Sequence, residues 1–317
     1  MSFSGDVKRE LVRQMSSARH CQIAEFAAIF AMAGRIRCTK GGRHYLEIRT
    51  ENLTVAVKSD MLVRKMFHNR ADLSVWRNND HPDSRNYLLQ VWEPDKVVEI
   101  LKAMKVMDEM GMIRSGFTSR HRMLTQNTCC KRAFLRGLFL ASGSVTDPEK
   151  AYHLEMSFVS PEIAQETQTL LQSFSLEAKI VCRKNYYVVY LKEGAQIVDF
   201  LNVVEAHVAL MAYENVRILK DMRNSLNRQV NCETANIGKT VVAASRQIDD
   251  ITLIEKIRGF GTLKPGLRQV AELRLEYPDA SLLELGQMLV PPLGKSGVNH
   301  RLRKLGEIAD SIRDESN

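Results

Sequence analysis

Apolar residues recur at helical spacing along one face of residues 282–289, near the C-terminal end of the chain. These residues are Leu282, Leu285, Met288 and Leu289. Ser281 and Glu284 form an S-x-x-E capping box, in which each side chain satisfies a free backbone N–H at a helix start. Residues 290–294 contain two prolines and a glycine. Because proline lacks an N–H and glycine tolerates a turn, this pattern predicts a short amphipathic helix that ends in a tight turn.

A second amphipathic helix is predicted directly after this turn. Its apolar residues follow spacings of four, three and four, which is the period of a buried helix face; they are Val298, Leu302, Leu305 and Ala309. The rest of residues 295–304 is rich in hydrogen-bond donors and contains no acid. The residues of this polar face are Lys295, Ser296, Gly297, Asn299, His300, Arg301, Arg303 and Lys304.

These two segments predict a helix-turn-helix that binds double-stranded DNA. The major groove accepts a rigid basic helix that a second helix supports. The candidates for phosphate and guanine-edge contacts are Lys295, Arg301, Arg303 and Lys304. Ser296, Asn299 and His300 lie in the first turns, where a recognition helix meets bases. The alternative is a solvated helical hairpin, but the capping box, the turn and the one-sided donors together favour DNA binding.

The first two hundred residues contain two copies of one pattern: helix, two strands, helix, two strands, helix. The first copy comprises residues 20–33, 35–39, 45–50, 53–68, 73–77, 86–92 and 94–107. The second comprises residues 131–142, 144–146, 152–159, 161–174, 178–183, 186–191 and 195–204. Gly34 and Gly143, 109 positions apart, occupy equivalent places. The repeat predicts an α+β domain with pseudo-twofold symmetry.

After this domain the pattern becomes helical. We expect a duplicated domain over residues 1–204, with halves of about 1–110 and 111–204, then a helical linker over 205–260. The helix-turn-helix domain follows over 261–317. Residues 227–239 are polar, and we expect them to form a linker or a kinked helix.

Net charge and composition restrict the classes of partner that we expect this chain to bind. The chain has 317 residues and a formal net charge of +8, which favours a polyanion, either nucleic acid or an anionic membrane surface. The six cysteines show no C-x-x-C spacing, so we expect no zinc ribbon and no other metal or cofactor. The N-terminal segment lacks the apolar core of a signal peptide, and the longest apolar run is too short for a bilayer. We expect a reduced cytoplasmic protein.

The first helices of the two copies carry small residues on one face, which lets two helix backbones approach closely. These residues are Ala24, Ala28, Ala133, Gly137 and Ala141. The segments 26–34 and 135–143 resemble the LAGLIDADG motif of homing endonucleases. That resemblance implies that an acid precedes each final glycine and that the two acids together bind divalent metal ions. Ala33 and Ser142 occupy those positions, and neither binds a hard cation as a carboxylate does. Two-metal hydrolysis is therefore expected to be disabled.

Over almost its whole length the chain resembles the WhiA family of bacterial regulators, which combines this degenerate double unit with a helix-turn-helix. The similarity is carried by residues 2–11, 132–145, 231–236 with Lys239, and 295–305. The family's usual turn has a serine where this chain has Gly294, and glycine is a nearly equivalent N-cap. The resemblance implies a nucleoid-associated role in cell division and chromosome segregation, and in sporulation among spore-forming relatives.

Three hypotheses follow from the sequence. The first is a non-catalytic, sequence-specific DNA-binding regulator, in which Arg35, Arg37 and Arg43 on the first hairpin add a secondary DNA contact. The second is an active endonuclease in which Asp147 or Glu25 replaces the missing acids. The third is a scaffold that docks a protein, such as a sigma factor or a cell-division component, with DNA binding secondary. We expect no membrane partner and no small-molecule substrate.

Overall fold

The structure is a computed structural model that describes residues 2–77, 85–113 and 122–315. The chain forms two compact units, Met1–Lys220 and Asp221–Asn317, and the boundary between them lies inside a long helix. Unit 1 contains two apolar cores, and unit 2 contains one. None of the helices in the described part of the chain has an apolar stretch long enough to cross a bilayer.

The first half of unit 1 begins with a helix that the periodicity analysis did not identify, α1 (Phe3–Arg13). The elements that follow are α2 (Arg19–Ala33), β1 (Gly34–Cys38), β2 (His44–Thr50), α3 (Leu53–Phe67), β3 (Asp72–Arg77), β4 (Arg85–Val91) and α4 (Pro94–Ala103). The strands form an antiparallel sheet in the order β1-β2-β4-β3. Helix α4 ends four residues before its predicted end at 107, because Lys105 adopts a left-handed conformation with φ of 59°.

The second half repeats this order. Its elements are α5 (Thr128–Ser142), β5 (Gly143–Val145), β6 (Leu154–Phe158), α6 (Pro161–Gln172), β7 (Lys179–Arg183), β8 (Tyr186–Leu191) and α7 (Gly194–Val203). The strand order β5-β6-β8-β7 matches that of the first sheet. The register also matches, since Gly34 pairs with Ile48 and Gly143 pairs with Met156. The predicted α+β duplication is confirmed.

Helices α2 and α5 pack against each other through small residues. Ala24, Ala28 and Ala133 are fully buried. A Cβ atom added at Gly137 would lie only 2.8 Å from the Cβ atom of Ala28, and it would also clash with the backbone carbonyl oxygen of Glu25. The two helix backbones therefore approach closely at this point, as the small-residue pattern predicts.

A network of four charged side chains, three of them buried, crosses this helix pair. Glu25 pairs with Lys58 at 2.9 Å and with Arg136 at 3.0 Å, and Arg136 also pairs with Glu205 at 2.7 Å. Glu25 and Lys58 are 0% exposed and Arg136 is 1% exposed. Burial lowers the pKa of Lys58, and the nearby Glu25 carboxylate opposes that shift. Burial alone would raise the pKa of Glu205, but hydrogen bonds from Gln14 and Arg136 hold that pKa below its ordinary value. Two acids and two bases thus balance each other, with Glu205 at the partly exposed end of the network.

Helix α1 explains how the N-terminal segment joins unit 1. Ser2 caps the helix by accepting a hydrogen bond from the backbone N–H of Gly5 at 3.2 Å. Val7 and Leu11 are buried in the core of the second half. The carboxylate of Glu10 accepts hydrogen bonds from the backbone N–H groups of Val208 and Ala209, at 2.8 and 2.9 Å. Glu10 therefore satisfies free donors at the start of the next long helix.

That long helix is α8 (His207–Ile257), and it is continuous through the polar residues 227–239. The sequence left a linker and a kinked helix open for this stretch. The structure has an uninterrupted helix, which agrees with the composition, since residues 207–257 contain no proline and a single glycine, Gly238.

Unit 2 packs the C-terminal end of α8 with three further helices, α9 (Pro265–Glu276), α10 (Leu282–Met288) and α11 (Lys295–Glu315). The predicted capping box is confirmed: Ser281 N–H donates to the Glu284 carboxylate at 2.7 Å, and Glu284 N–H donates to Ser281 Oγ at 3.3 Å. Leu285 and Leu289 are buried as expected. Met288 was expected on the same apolar face but is 44% exposed, and it is the last residue of α10, directly before the extended Leu289.

Candidate nucleic-acid interface

The N-terminal half of α11 presents the donor-rich face that the sequence predicts. Val298, Leu302 and Leu305 are buried in the core of unit 2. On the other side, six of the candidate side chains are exposed: Lys295, Ser296, Asn299, His300, Arg303 and Lys304. Gly297 is half-buried beside Leu293. The first acid after this face is Glu307, which lies 3.4 Å from Arg303 at the edge of the basic region.

A close backbone contact sets the angle between α10 and α11. Leu293 N–H donates to the carbonyl oxygen of Gly286 at 2.9 Å. A Cβ atom at Gly286 would clash with the carbonyl oxygen of Leu293 and would lie 3.2 Å from Val298 Cγ2. The turn can therefore fold tightly against α10 only because position 286 has no side chain.

Arg301 has a different environment from its neighbours on α11. Its side chain is half-buried, and Nη1 donates a hydrogen bond to the carbonyl oxygen of Gly266 at 3.0 Å. A Cβ atom at Gly266 would lie 3.1 Å from the guanidinium carbon, so the two groups are in contact. The sequence placed Arg301 among the DNA-contacting residues, whereas the structure places it between α9 and α11.

An ion pair between an exposed arginine and a buried aspartate anchors the far end of α11. Arg313 Nη2 donates to Asp250 Oδ1 of α8 at 2.6 Å, and the Asp250 side chain is buried. Hydrogen bonds from Arg313 to Asp250 and to Asp310 raise the pKa of the Arg313 guanidinium. Together with Arg301, this pair fixes α11 on its supporting helices.

The hairpin of unit 1 forms a second basic surface. Arg35, Arg37 and Arg49 line a cavity of about 360 Å³ together with Met32, Ala33 and Glu47. Glu47 is buried, 3.8 Å from Arg37 Nε and 3.5 Å from Arg49 Nη2. The third predicted residue, Arg43, lies outside the cavity in the exposed β1–β2 turn.

Sequence reasoning missed Arg49 as a member of this surface. Its guanidinium carbon lies 5.5 Å from the centroid of the Trp76 ring on β3, so strand β2 adds a cation and an aromatic contact to the basic face. The sequence contains a signal for Arg49, because the charged residues Glu47 and Arg49 alternate with the apolar residues Leu46 and Ile48 along β2.

Three family models together match most of the chain. The model described as WhiA N-terminal LAGLIDADG-like domain matches residues 19–107, and the WhiA LAGLIDADG-like domain matches residues 131–223. The WhiA C-terminal HTH domain matches residues 226–309. A protein of Lachnoclostridium phytofermentans named "Probable cell division protein WhiA" is 51% identical over 99% of this chain and 100% of its own length.

The chain belongs to the WhiA family. A relative of the same name from Alkaliphilus metalliredigens is 46% identical, with all of both chains covered. The crystal structure of full-length DUF199/WhiA from Thermatoga maritima has the same fold, with a TM-score of 0.58, 25% identity, and coverage of 98% of this chain and 99% of that one. The helix-turn-helix and the two LAGLIDADG-like halves are thus shared WhiA features.

In this WhiA chain, the positions of the LAGLIDADG acids are the last residues of α2 and α5. Ala33 has no ligating side-chain atom, and Ser142 Oγ donates to the carbonyl oxygen of Leu138 at 2.9 Å. Both acids considered as replacements are engaged elsewhere. Glu25 is fully buried in the ion network, and Asp147 accepts a hydrogen bond from the backbone N–H of Glu149 at 2.9 Å.

Proposed function

We propose that this WhiA-family chain is a non-catalytic, sequence-specific DNA-binding protein that regulates genes of cell division. The observation that carries the proposal is the exposed face of α11, which bears six donor side chains and no acid over residues 295–304. The N-terminal turns of a recognition helix meet base edges, while flanking cations meet phosphates. Asn299 and His300 are therefore the proposed base-contacting residues, with Lys295, Arg303 and Lys304 on the backbone.

The names of the relatives support a role in cell division. Chromosome segregation, sporulation in spore-forming relatives and association with the nucleoid are proposed on the family resemblance. The basic hairpin supports a secondary DNA contact through Arg35, Arg37 and Arg49, with Arg43 at the tip of the turn. In this arrangement Arg301 contributes by positioning α11.

A salt titration of DNA binding tests the main proposal. We expect Lys304→Ala to weaken binding for all duplex sequences and to reduce the slope of log Kd against log salt by about one unit, because one phosphate contact is lost. Lys256→Ala is the matched control, since it removes the same charge from an exposed position on α8. Fluorescence anisotropy with short duplexes gives both slopes. Equal slopes for the wild type and Lys304→Ala would reject α11 as the DNA-contacting helix.

The proposal also predicts that the protein does not cut DNA. Supercoiled plasmid should stay intact with Mg²⁺ or Mn²⁺, because Ala33 and Ser142 cannot bind the metals of a two-metal hydrolysis. Glu47 is the acid among the residues that line the cavity at Ala33. Metal-dependent nicking that disappears in Glu47→Gln would therefore contradict a non-catalytic role and revive the endonuclease hypothesis.

A docking scaffold is the alternative function, and one observation favours it. Helix α8 carries many large apolar side chains that are exposed: Val208, Met211, Ile218, Leu219, Met222, Leu226, Val230, Val241 and Val242. Exposed apolar patches of this kind mark protein contacts more often than solvent surface. If removing residues 278–317 left both the binding partners and the cell-division phenotype unchanged, the scaffold would replace the DNA-binding proposal.

A further inference from the structure

Four metal-ligating side chains meet at the N-terminal ends of α2 and α5. They are His20, Cys21, Cys129 and Cys130, and their ligand atoms all lie within 4.8 Å of one another. His20 Nδ1 is 3.1 Å from Cys130 Sγ and 3.4 Å from Cys21 Sγ. None of these residues belongs to the donor face of α11 or to the basic hairpin, so this cluster needs its own explanation.

The repeat brings these residues together in matched pairs. The 109-position offset that relates Gly34 to Gly143 also relates His20 to Cys129 and Cys21 to Cys130. Each pair lies in the first turn of one of the two packed helices, α2 and α5. Because the halves share one fold, the two pairs face each other across the pseudo-twofold axis. Two ligands from each half thus meet at one point.

The spacing of the ligand atoms fits a tetrahedral ion. Zinc–thiolate bonds of about 2.3 Å place the corners of a tetrahedron about 3.8 Å apart. The distances from His20 Nδ1 to Cys130 Sγ and to Cys21 Sγ, 3.1 and 3.4 Å, lie slightly below that value, and no pair of ligand atoms is more than 4.8 Å apart. Three thiolates and one imidazole form a donor set that structural zinc sites use, and tetrahedral sulfur-rich sites select zinc over hard cations.

We propose that His20, Cys21, Cys129 and Cys130 bind one Zn²⁺ ion, which ties the first helices of the two halves together. The three thiols release their protons as the ion binds, and His20 ligates through neutral Nδ1. With four protein ligands the site is closed, so the ion is structural. Such an ion stabilises the duplicated domain and leaves the DNA-contacting face of α11 unchanged.

The same cysteines could instead form a disulfide. A disulfide joins only two of the three sulfur atoms and leaves the third thiol and the imidazole of His20 without a role. A single tetrahedral ion uses all four side chains, whose ligand atoms lie within 4.8 Å of one another.

The test measures metal content in the full-length protein purified under reducing conditions and dialysed against buffer with a weak chelator. We expect one zinc per chain by plasma mass spectrometry. Replacing zinc with Co²⁺ should give the visible bands of tetrahedral cobalt and a thiolate charge-transfer band. Cys129→Ser and His20→Ala should each reduce zinc affinity at least tenfold. Both positions are exposed, so both variants should fold.

Cys182→Ser is the matched control, because Cys182 is an exposed cysteine outside the cluster. It should bind zinc and cobalt as the wild type does. A strong chelator should lower the unfolding temperature of the wild type and of Cys182→Ser, but not that of Cys129→Ser. A zinc content no higher in the wild type than in Cys129→Ser would overturn the proposal. A loss of two hydrogens from the wild type, with no bound metal, would assign the cluster to a disulfide instead.

Discussion

Gly286→Ala is expected to abolish specific DNA binding while unit 1 stays folded. The new methyl group would overlap the carbonyl oxygen of Leu293, which belongs to the backbone and cannot rotate away. The turn must then move away from α10, and α11 loses the angle at which its donors meet a groove. Overpacking of this kind costs about 1–3 kcal/mol. For a unit of this size that is a decrease of roughly 5–20 °C in unfolding temperature.

The measurements are calorimetry of the full chain and anisotropy with duplex DNA. Gly306→Ala is the control, since it adds the same methyl group to α11, at an ordinary contact distance of 3.4 Å from Asp250 Oδ2. Removing a glycine from a helix interior should raise stability by up to about 1 kcal/mol. If Gly286→Ala bound DNA as tightly as Gly306→Ala, the close turn between α10 and α11 would not be needed for recognition.

Arg136→Met is expected to lower the free energy of unfolding by about 3 kcal/mol, at the lower end of the range for breaking a buried ion pair. The cost arises because Glu25 and Glu205 both lose a partner, which leaves two carboxylates and the single base Lys58 in the network. We expect the loss of free energy to lie at the lower end of that range because two interactions remain. Glu25 still pairs with Lys58 at 2.9 Å, and Glu205 still accepts a hydrogen bond from Gln14, also at 2.9 Å.

Denaturant unfolding checks this value, with Arg64→Met as the matched control. Arg64 makes an i,i+4 ion pair with Asp60 on the outside of α3, and its side chain is 53% exposed. The same substitution there should cost less than about 1 kcal/mol. Equal losses for the two variants would show that Arg136 contributes packing alone, and that the buried charges do not depend on each other.

Several features of the protein were available from local sequence patterns. The helix and strand order of both halves, their 109-position offset and the capping box at Ser281 all match the structure. Each can be inferred from patterns among residues that are close in the chain, such as helical periodicity or the residues of a turn. The sequence alone likewise indicates that the metal-binding acids are absent, because Ala33 and Ser142 occupy their positions.

Local sequence patterns did not reveal the contact of Arg301 with Gly266 or the conformation of residues 227–239. Periodicity placed Arg301 on the polar face of α11. A residue at the edge of a polar face can also contact a neighbouring helix, and periodicity does not show such a contact. There the guanidinium bonds to Gly266, 35 positions away. The sequence left two alternatives for residues 227–239, a linker or a kinked helix. The composition of that stretch does not show which conformation the flanking helical segments favour.

The sequence by itself determined most of the helices and strands, the repeat and the donor-rich face of α11, because each of these follows from the spacing of neighbouring residues; α1 is the exception. Tertiary structure decided which distant side chains meet. Glu25 pairs with Arg136, which lies 111 positions further along the chain. His20 and Cys21 lie beside Cys129 and Cys130 across the repeat axis. Spacing reports which face of a helix is buried, but only the packing of α2 against α5 decides what that face contacts.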